Sequence, residues 1–520
     1  MKRVIAAVGI LIGLLTGGRS VVAQNSPTED DYYRMVSFPL PDDVVLEVGG
    51  LDWLDKKKTR LLACTRRGEL WVIDNVYTDE PALAGSKINV TNAAGKTVEV
   101  DTPADQTVRF KRMLFGMHEP LGMLVKSDGI YMAQRSELTR VRDMNGDDRI
   151  DDVETICNDW EISGSYHEYA FGPKVGKDGR MWVTLNRPFG GGQEATAHWR
   201  GWAVQIDDKG VMHPVCPGLR SPAGLGPNAA GDMFYTDNQG DWVAVCKLSH
   251  LKKGLFQGNP ISLQSIDHPL STMKNPGPGF PKSGLYWGEA VKEMPQLVAP
   301  AVWFPYPEMG KSHSDVQCDL TEGKFGPFEK QLFVGDQGNA IIVRCFMEQV
   351  DGEYQGACFP FRRGFQSGVL RMTWGHDGSM FVGGTNRGWG GGSRPYCLQR
   401  LVWTGETPFE VLEMRAKPNG FELVFTQPVN PETANNVESY VMRSWTYRYH
   451  SAYGDKPQNT RELKVTSAHV SSPDLRSVTL EIEGLEPHYV HELRLPGVRN
   501  RDAQPVLHPI AYYTLNRIPK

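Results

Sequence analysis

Two segments of this 520-residue chain that fall near the mouth of its repeat pattern set an imidazole beside a carboxylic acid: Gly116-Met117-His118-Glu119-Pro120 and Ser163-Gly164-Ser165-Tyr166-His167-Glu168-Tyr169. A histidine with an adjacent acid is the smallest equipment for a general base working near neutrality. His167 is the stronger candidate, because it opens a repeat unit and has Gly164 and Glu168 close by. Guanidinium groups recur around it in the sequence pattern. Gln134-Arg135, Asn186-Arg187 and Asn386-Arg387 each end an apolar strand pattern, as do Thr65-Arg66-Arg67, Asp237-Asn238-Gln239 and Asp336-Gln337. Hairpin ends are polar in any protein. Arg135, Arg187 and Arg387 at three of these ends suit bidentate recognition of an acidic or polyhydroxyl ligand. Trp389, in Asn386-Arg387-Gly388-Trp389-Gly390-Gly391-Gly392, suits stacking on a sugar ring.

A third group is acidic. From Asp143, oxygen ligands fall at positions 1, 3, 5 and 9 (Asp143, Asn145, Asp147, Asp151), with the Arg149 carbonyl at 7 and Glu154 at 12. That is the spacing of a calcium loop, in which a hard cation collects six to eight oxygens. Asp148 stands at position 6, where the turn ordinarily takes Gly, and Gly146 sits at position 4. The reading is structural calcium, against a solvated acidic turn.

The elements that must position these groups form an internal repeat. Leu61-Leu62-Ala63-Cys64, Ile130-Tyr131-Met132-Ala133, Met181-Trp182-Val183-Thr184, Met233-Phe234-Tyr235-Thr236, Leu332-Phe333-Val334-Gly335 and Met380-Phe381-Val382-Gly383 read as equivalent strands. Four follow a turn ending in Gly, three of them Asp-Gly, which suits a hairpin's positive φ. Their starts lie 69, 51, 52, 99 and 48 residues apart. A period near fifty with two insertions is the signature of radially repeated four-stranded sheets. The fold expected is all-β: a six-bladed β-propeller over 40–405, with the loops of every blade gathered at one mouth. The insertion at 250–320 contains Asn275-Pro276-Gly277-Pro278-Gly279 and reads as a long surface excursion. Past Gly405 short alternating strands, such as Val478-Thr479-Leu480-Glu481-Ile482, predict an immunoglobulin- or fibronectin-like β-sandwich over 406–520. His469, His488, His491 and His508 show no metal-like spacing, so this part reads as a spacer or as a docking module for an electron-acceptor or other protein.

Composition narrows the rest. With 40% apolar and 22% charged residues the chain can build a large core, and 55 Gly with 35 Pro favour short strands and tight turns. A net charge of −5 carries no nucleic-acid footprint. Lys2 and Arg3, the apolar run Val4 to Leu15 and Val21-Val22-Ala23 read as a secretory signal over 1–23, placing the mature chain in the periplasm or outside the cell with no membrane span. The eight cysteines contain no C-x-x-C, so zinc knuckles, thioredoxin chemistry and covalent c-type haem have no support. Export permits disulfides of open pairing, whereas Cys345, inside an apolar strand pattern, reads as a buried thiol.

The segment about 40–405 resembles the soluble quinoprotein glucose/sorbosone dehydrogenase family. The likeness rests on His167 ahead of Phe171-Gly172-Pro173 and Asp178-Gly179-Arg180-Met181-Trp182-Val183, on Leu219-Arg220-Ser221-Pro222-Ala223-Gly224-Leu225, and on Asp237-Asn238-Gln239-Gly240-Asp241. The resemblance implies pyrroloquinoline quinone (PQQ) bound over calcium at the channel mouth. In that scheme His167 takes the proton of a sugar hydroxyl while hydride passes to the quinone. Arg220 polarises the quinone oxygens, and the carbonyls of Gly240 and Asp241 stand near the calcium. Asp237, Asn238, Gln239, Gln337, Asn386 and Arg387 complete the expected cofactor pocket. Three positions depart from the family pattern: Ser221 replaces an Asn, no lysine falls near Asp336-Gln337-Gly338-Asn339, and Gly368-Val369-Leu370 occupies the place of an arginine pair. The expected function is therefore a PQQ-dependent aldose or sugar dehydrogenase acting on a carbohydrate. The alternatives are a non-redox carbohydrate-binding or lactonase-like hydrolytic propeller, or a protein-interaction scaffold.

Overall fold

The computed structural model describes residues 27–91, 95–189 and 197–520, and the export segment expected at 1–23 lies outside them. The protein is built almost wholly of β-strands, with a few short helices. Each of the six equivalent strands read from the sequence lies within a strand: Arg60–Thr65, Gly129–Ala133, Met181–Leu185, Met233–Asp237, Leu332–Asp336 and Met380–Thr385. Each is the second strand of an antiparallel sheet that begins with Val48–Trp53, Met123–Lys126, Ala170–Val175, Leu225–Pro227, His313–Cys318 or Val369–Trp374. Every sheet is open. The six first strands neighbour one another in chain order, and Val369–Trp374 returns to Val48–Trp53.

Glycine makes this close approach possible. A Cβ on Gly224 would stand 1.9 Å from the Ser314 carbonyl oxygen of the next sheet. Gly122, at φ +155, lies against the backbone of Gly172 in the same manner. At the centre, buried Arg371 donates to the carbonyls of Gly49 (2.9 Å), Leu121 (2.7 Å), Ala223 (3.1 Å) and its neighbour Leu370 (2.8 Å). One guanidinium thus ties together backbone belonging to the first, second, fourth and sixth sheets. It satisfies its fixed fork of donors where water is excluded.

The sixth sheet takes its outer strand from the other end of the chain. Tyr33–Ser37 pairs with Tyr396–Trp403, Tyr33 lying opposite Trp403. The outer strand of the fifth sheet, Glu353–Arg362, pairs with Ile510–Leu515. The sheet then runs on through Tyr489–Arg494, Val441–Thr446 and Gln458–Leu463, eight strands in all. A separate four-stranded sheet, led by Val411–Lys417 and Gly420–Phe425, covers one face of this extension. Phe421, Leu423 and Phe425 share a core with Phe346, Phe359, Leu493 and Tyr513. Continuous backbone pairing and a common core thus join this region to the fifth sheet.

A second correction concerns 250–320. Asn275 and the Pro-Gly run beside it are exposed, but Phe256, Met273, Trp287 and Phe304 are buried in the largest apolar cluster. Glycine and proline frequency hid the apolar anchors of this segment. All eight cysteines are buried and unpaired. Among the described residues no helix is long and apolar enough to cross a membrane.

Candidate active site

A cavity of about 850 Å³ opens at the end of the sheets where their second strands finish. Its wall includes His167, Arg220, Asn238, Gln239, Gln337 and Arg387, all anticipated from the sequence. Leu121, Ala223 and Leu370 form its floor, directly over the Arg371 hub.

His167 is half-buried, its ring 4.7 Å from Phe189 and 5.3 Å from Tyr166. Neither ring nitrogen is engaged by a described residue. Burial, followed by the fields of Arg387, Arg220, Arg135 and Arg187, holds the imidazole below the ordinary histidine pKa. The ring is accordingly neutral at pH 7 and able to accept a proton. The adjacent acid plays a different part from the one expected. Fully buried Glu168 accepts from the backbone of Ser163 (2.8 Å), Gly164 (3.1 Å) and Ser165 (3.2 Å), so it folds the loop that presents His167. Glu119, beside His118, is likewise held by Arg66 (2.9 Å) and Arg135 (3.1 Å).

Arg220 is held from several sides. Its Nε donates to Asp241 Oδ1 at 2.8 Å, and Arg187 donates to the same oxygen. The guanidinium lies between Phe189 (4.4 Å) and Tyr453 (5.4 Å). It also presses on Gly240, where a Cβ would stand 1.9 Å from Arg220 Cζ. Asp237, buried behind it, accepts the backbone N–H groups of Arg220 (3.0 Å) and Ser221 (2.6 Å). Asp237 therefore positions this strand end, a correction to its expected place against the cofactor. Asn386 is corrected in the same way. Its side chain accepts from Gly388 N (2.6 Å) and donates to Gly390 O (3.2 Å), shaping the loop that holds Arg387 at φ +55. Arg387 itself reaches Tyr169 Oη (2.9 Å) and Tyr166.

Besides His167, Asn238 and Lys311 on the wall keep polar groups open among the described residues. Asn238 donates to Ser312 Oγ (3.0 Å), while its Oδ1 is buried with no partner. Lys311, exposed at the mouth, makes no ion pair among the described residues. The family lysine sought near Asp336 has no counterpart there, yet Lys311 supplies a cation to the same mouth from the loop before His313–Cys318, its backbone N–H held by Asp336 at 2.8 Å.

Most of the oxygens expected to hold calcium are engaged within the protein. In the 143–154 loop, side-chain oxygens of Asp143, Asn145, Asp147 and Asp151 accept backbone N–H groups of the loop itself at 2.8–2.9 Å. Glu154, the expected twelfth-position ligand, lies on Asp152–Cys157 and is ion-paired with Arg140 (2.5 Å) and Arg142 (3.4 Å). Arg149 is an exposed residue of this loop. At the other expected position, the Gly240 carbonyl accepts from Gly454 N (2.9 Å) and that of Asp241 from Asn259 Nδ2 (3.2 Å). Among the described residues no three His, Cys, Asp or Glu side chains gather as a metal-holding group.

Sequence reading missed Tyr169, Phe189, Lys311 and Tyr453. Tyr453 comes from the C-terminal region in which no chemistry was expected, and its backbone bridges to Asp241. A single tyrosine in a Ser-Ala-Tyr-Gly loop carries no periodic signal that could have revealed it.

Residues 61–291 match the family model of a domain of unknown function, DUF7133. No curated protein matches the chain. Similar solved structures include a PQQ-bound aldose sugar dehydrogenase from Streptomyces coelicolor, 12% identical over 73% of this chain and 99% of that one, with a TM-score of 0.44. The holo PQQ domain of a pyranose dehydrogenase from Coprinopsis cinerea is 12% identical over 71% and 97%, with a TM-score of 0.43. A Trichoderma reesei enzyme of carbohydrate-active family AA12 is 11% identical over 72% and 97%, with a TM-score of 0.47.

Proposed function

We propose that the protein is an exported six-bladed β-propeller of the soluble quinoprotein sugar-dehydrogenase kind, with a β-sandwich at 406–520, and that it oxidises a carbohydrate in the His167 cavity. The observation that carries this reading is the state of His167. A neutral imidazole with both nitrogens unengaged faces a cavity whose wall holds Arg66, Arg220, Lys311 and Arg387 against the single acid Glu47. Such a base takes a proton from a sugar hydroxyl, and the surrounding cations stabilise the negative charge that develops. Asn238 Oδ1, buried and unpartnered, is an acceptor for a substrate hydroxyl. Trp389, 54% exposed on the wall, offers a flat apolar face.

The residues fit the quinone in part. Arg387 and Lys311 have no carboxylate partner among the described residues and, with Arg220, match the charges of a tricarboxylate. When bound, the quinone supplies the hydride acceptor. Calcium does not fit: the carbonyls that would hold it are occupied, and the Arg220 guanidinium already covers Gly240. The same occupancy favours a second reading, a non-redox site that binds or hydrolyses a saccharide or lactone with His167 as base.

One experiment separates them. Purified protein is mixed with the quinone, with and without calcium, and dye reduction is followed with a set of aldoses. We expect quinone uptake that does not need calcium and sugar-dependent reduction that His167→Ala abolishes. Protein that never takes up the quinone would leave the non-redox reading.

A further inference from the structure

A second cleft, of about 640 Å³, lies where the fourth and fifth sheets meet the C-terminal strands. It adjoins the His167 cavity, since Gln239 and Tyr453 line both. Its walls are aromatic. Tyr306 follows Val302–Trp303, Trp445 lies in Val441–Thr446 and Tyr512 in Ile510–Leu515, so three segments distant in the chain bring rings to one groove. Tyr306 is 46% exposed and Tyr453 71%, whereas Trp445 is buried in the wall.

The polar groups of the cleft differ from those of the cavity. Buried Glu492 accepts from Arg443 (2.7 Å) and Arg494 (2.6 Å), which fixes both guanidinium groups at the cleft wall. Lys456, Asp455 and Glu308 add one cation and two acids, so three positive charges face three negative ones. The His167 cavity, by contrast, carries four cations against one acid. Rings flanked by fixed, balanced hydrogen-bonding groups match neutral polyhydroxyl units. The apolar face of each sugar covers an aromatic side chain while its hydroxyls meet charged donors and acceptors. The volume lies within the ordinary range for a small-molecule cleft of about 300–1,000 Å³.

We infer that the protein acts on a linear neutral oligosaccharide, whose terminal unit occupies the His167 cavity while the following units cross Tyr453 into the aromatic cleft. This rests on the carbohydrate reading of the cavity given above. The cleft confers preference for chain length, and the cavity performs the chemistry.

The test is calorimetric titration of the full chain, without quinone, using glucose, cellotetraose and maltotetraose. One tetrasaccharide is expected to bind at least about tenfold more tightly than glucose, a difference of about 1.4 kcal/mol. Tyr306→Ala, at an exposed position, and Trp445→Phe, which keeps a ring in the wall, are each expected to reduce that advantage at least about threefold while leaving glucose binding unchanged. Equal affinity for glucose and both tetrasaccharides, no binding of any of them, or a length advantage that survives both substitutions would overturn the inference. Because no turnover is measured, the result is separable from the redox reading. Length-dependent binding without sugar-dependent dye reduction sinks the oxidation and leaves the cleft. Oxidation of glucose without length dependence does the reverse.

Discussion

Arg220 Nε stands 2.8 Å from Asp241 Oδ1 with the guanidinium laid across Gly240, a position that only a residue without Cβ can offer. The Phe189 ring (4.4 Å) and the Tyr453 ring (5.4 Å) pack against the group, which leaves it little room to move aside. Gly240→Ala is therefore expected to expel the guanidinium from its seat and weaken anionic-ligand binding. The loss should equal that of one charge-assisted contact, about 1.5–3 kcal/mol, with the fold intact. Titration of the variant with the quinone or a sugar acid, alongside a thermal melt, checks both parts.

Asp241 holds two arginines at once. Burial works to raise its pKa, but Arg187 and Arg220 outweigh it and keep the carboxyl below the usual aspartate value. Asp241→Asn removes the charge that lets the two cations sit together. Ligand affinity should fall by about tenfold or more, and the loss should shrink as salt rises and screens the exposed repulsion. Affinity measured at two ionic strengths decides this.

His167 is kept neutral by burial and by four nearby arginines, so the acid limb of any activity it catalyses should lie below the ordinary histidine range. Arg387→Gln removes one of those positive fields. The limb should then move to higher pH, because the imidazolium is less disfavoured. A pH–rate profile showing no shift, or a shift downward, would remove His167 from its role as base.

Arg371→Met replaces the axial hub with an apolar chain of comparable length. It leaves buried carbonyls of Gly49, Leu121 and Ala223 without their donor, at about 1–3 kcal/mol each. We expect a large fall in melting temperature, and little rescue by Arg371→Lys, whose point charge cannot reach three carbonyls in a plane. A melt indistinguishable from the parent protein would refute the hub.

His508 lies between Glu410 (2.5 Å) and Glu29 (3.0 Å). Burial disfavours its charge, but the two carboxylates prevail and raise its pKa to about 9, while Glu29 falls to about 2. A raised histidine contributes stability that is complete below its unfolded pKa near 6.5 and is lost as the pH climbs through 9. The depressed Glu29 contributes stability present above about 4.5 and lost as the pH falls toward 2. The protein should therefore melt higher at pH 6 than at pH 9.5. His508→Gln should flatten that difference and cost about 3–5 kcal/mol at pH 6. Melting curves at the two pH values test it.

The hairpin repeat was legible because period-two alternation and Asp-Gly turns are local signals, and all six strands lie where those signals put them. His167, ahead of a repeat's first strand, and Arg387, just past the end of a second strand, could be picked out too. Roles set by side-chain direction were not. Glu168 follows His167 in sequence but points into its own loop, and Asp237 turns inward to backbone N–H groups. Lys311 and Tyr453 reach the cavity from loops whose place depends on long-range pairing, which no short window of sequence encodes. The 143–154 spacing has two readings in sequence, because the same oxygens that would wrap a cation also satisfy the backbone of a tight acidic turn.

Tyr33 lying opposite Trp403 has a bearing on how the molecule is made. An early stretch of the nascent polypeptide must wait, unpaired, until almost four hundred further residues have been synthesised, and the outer strand of the fifth sheet must also await the much later Ile510–Leu515. Contacts of such separation form slowly and leave strand edges bare in the meantime. The ring is completed as a single late event, and an interrupted or shortened copy would present open edges to whatever lies nearby.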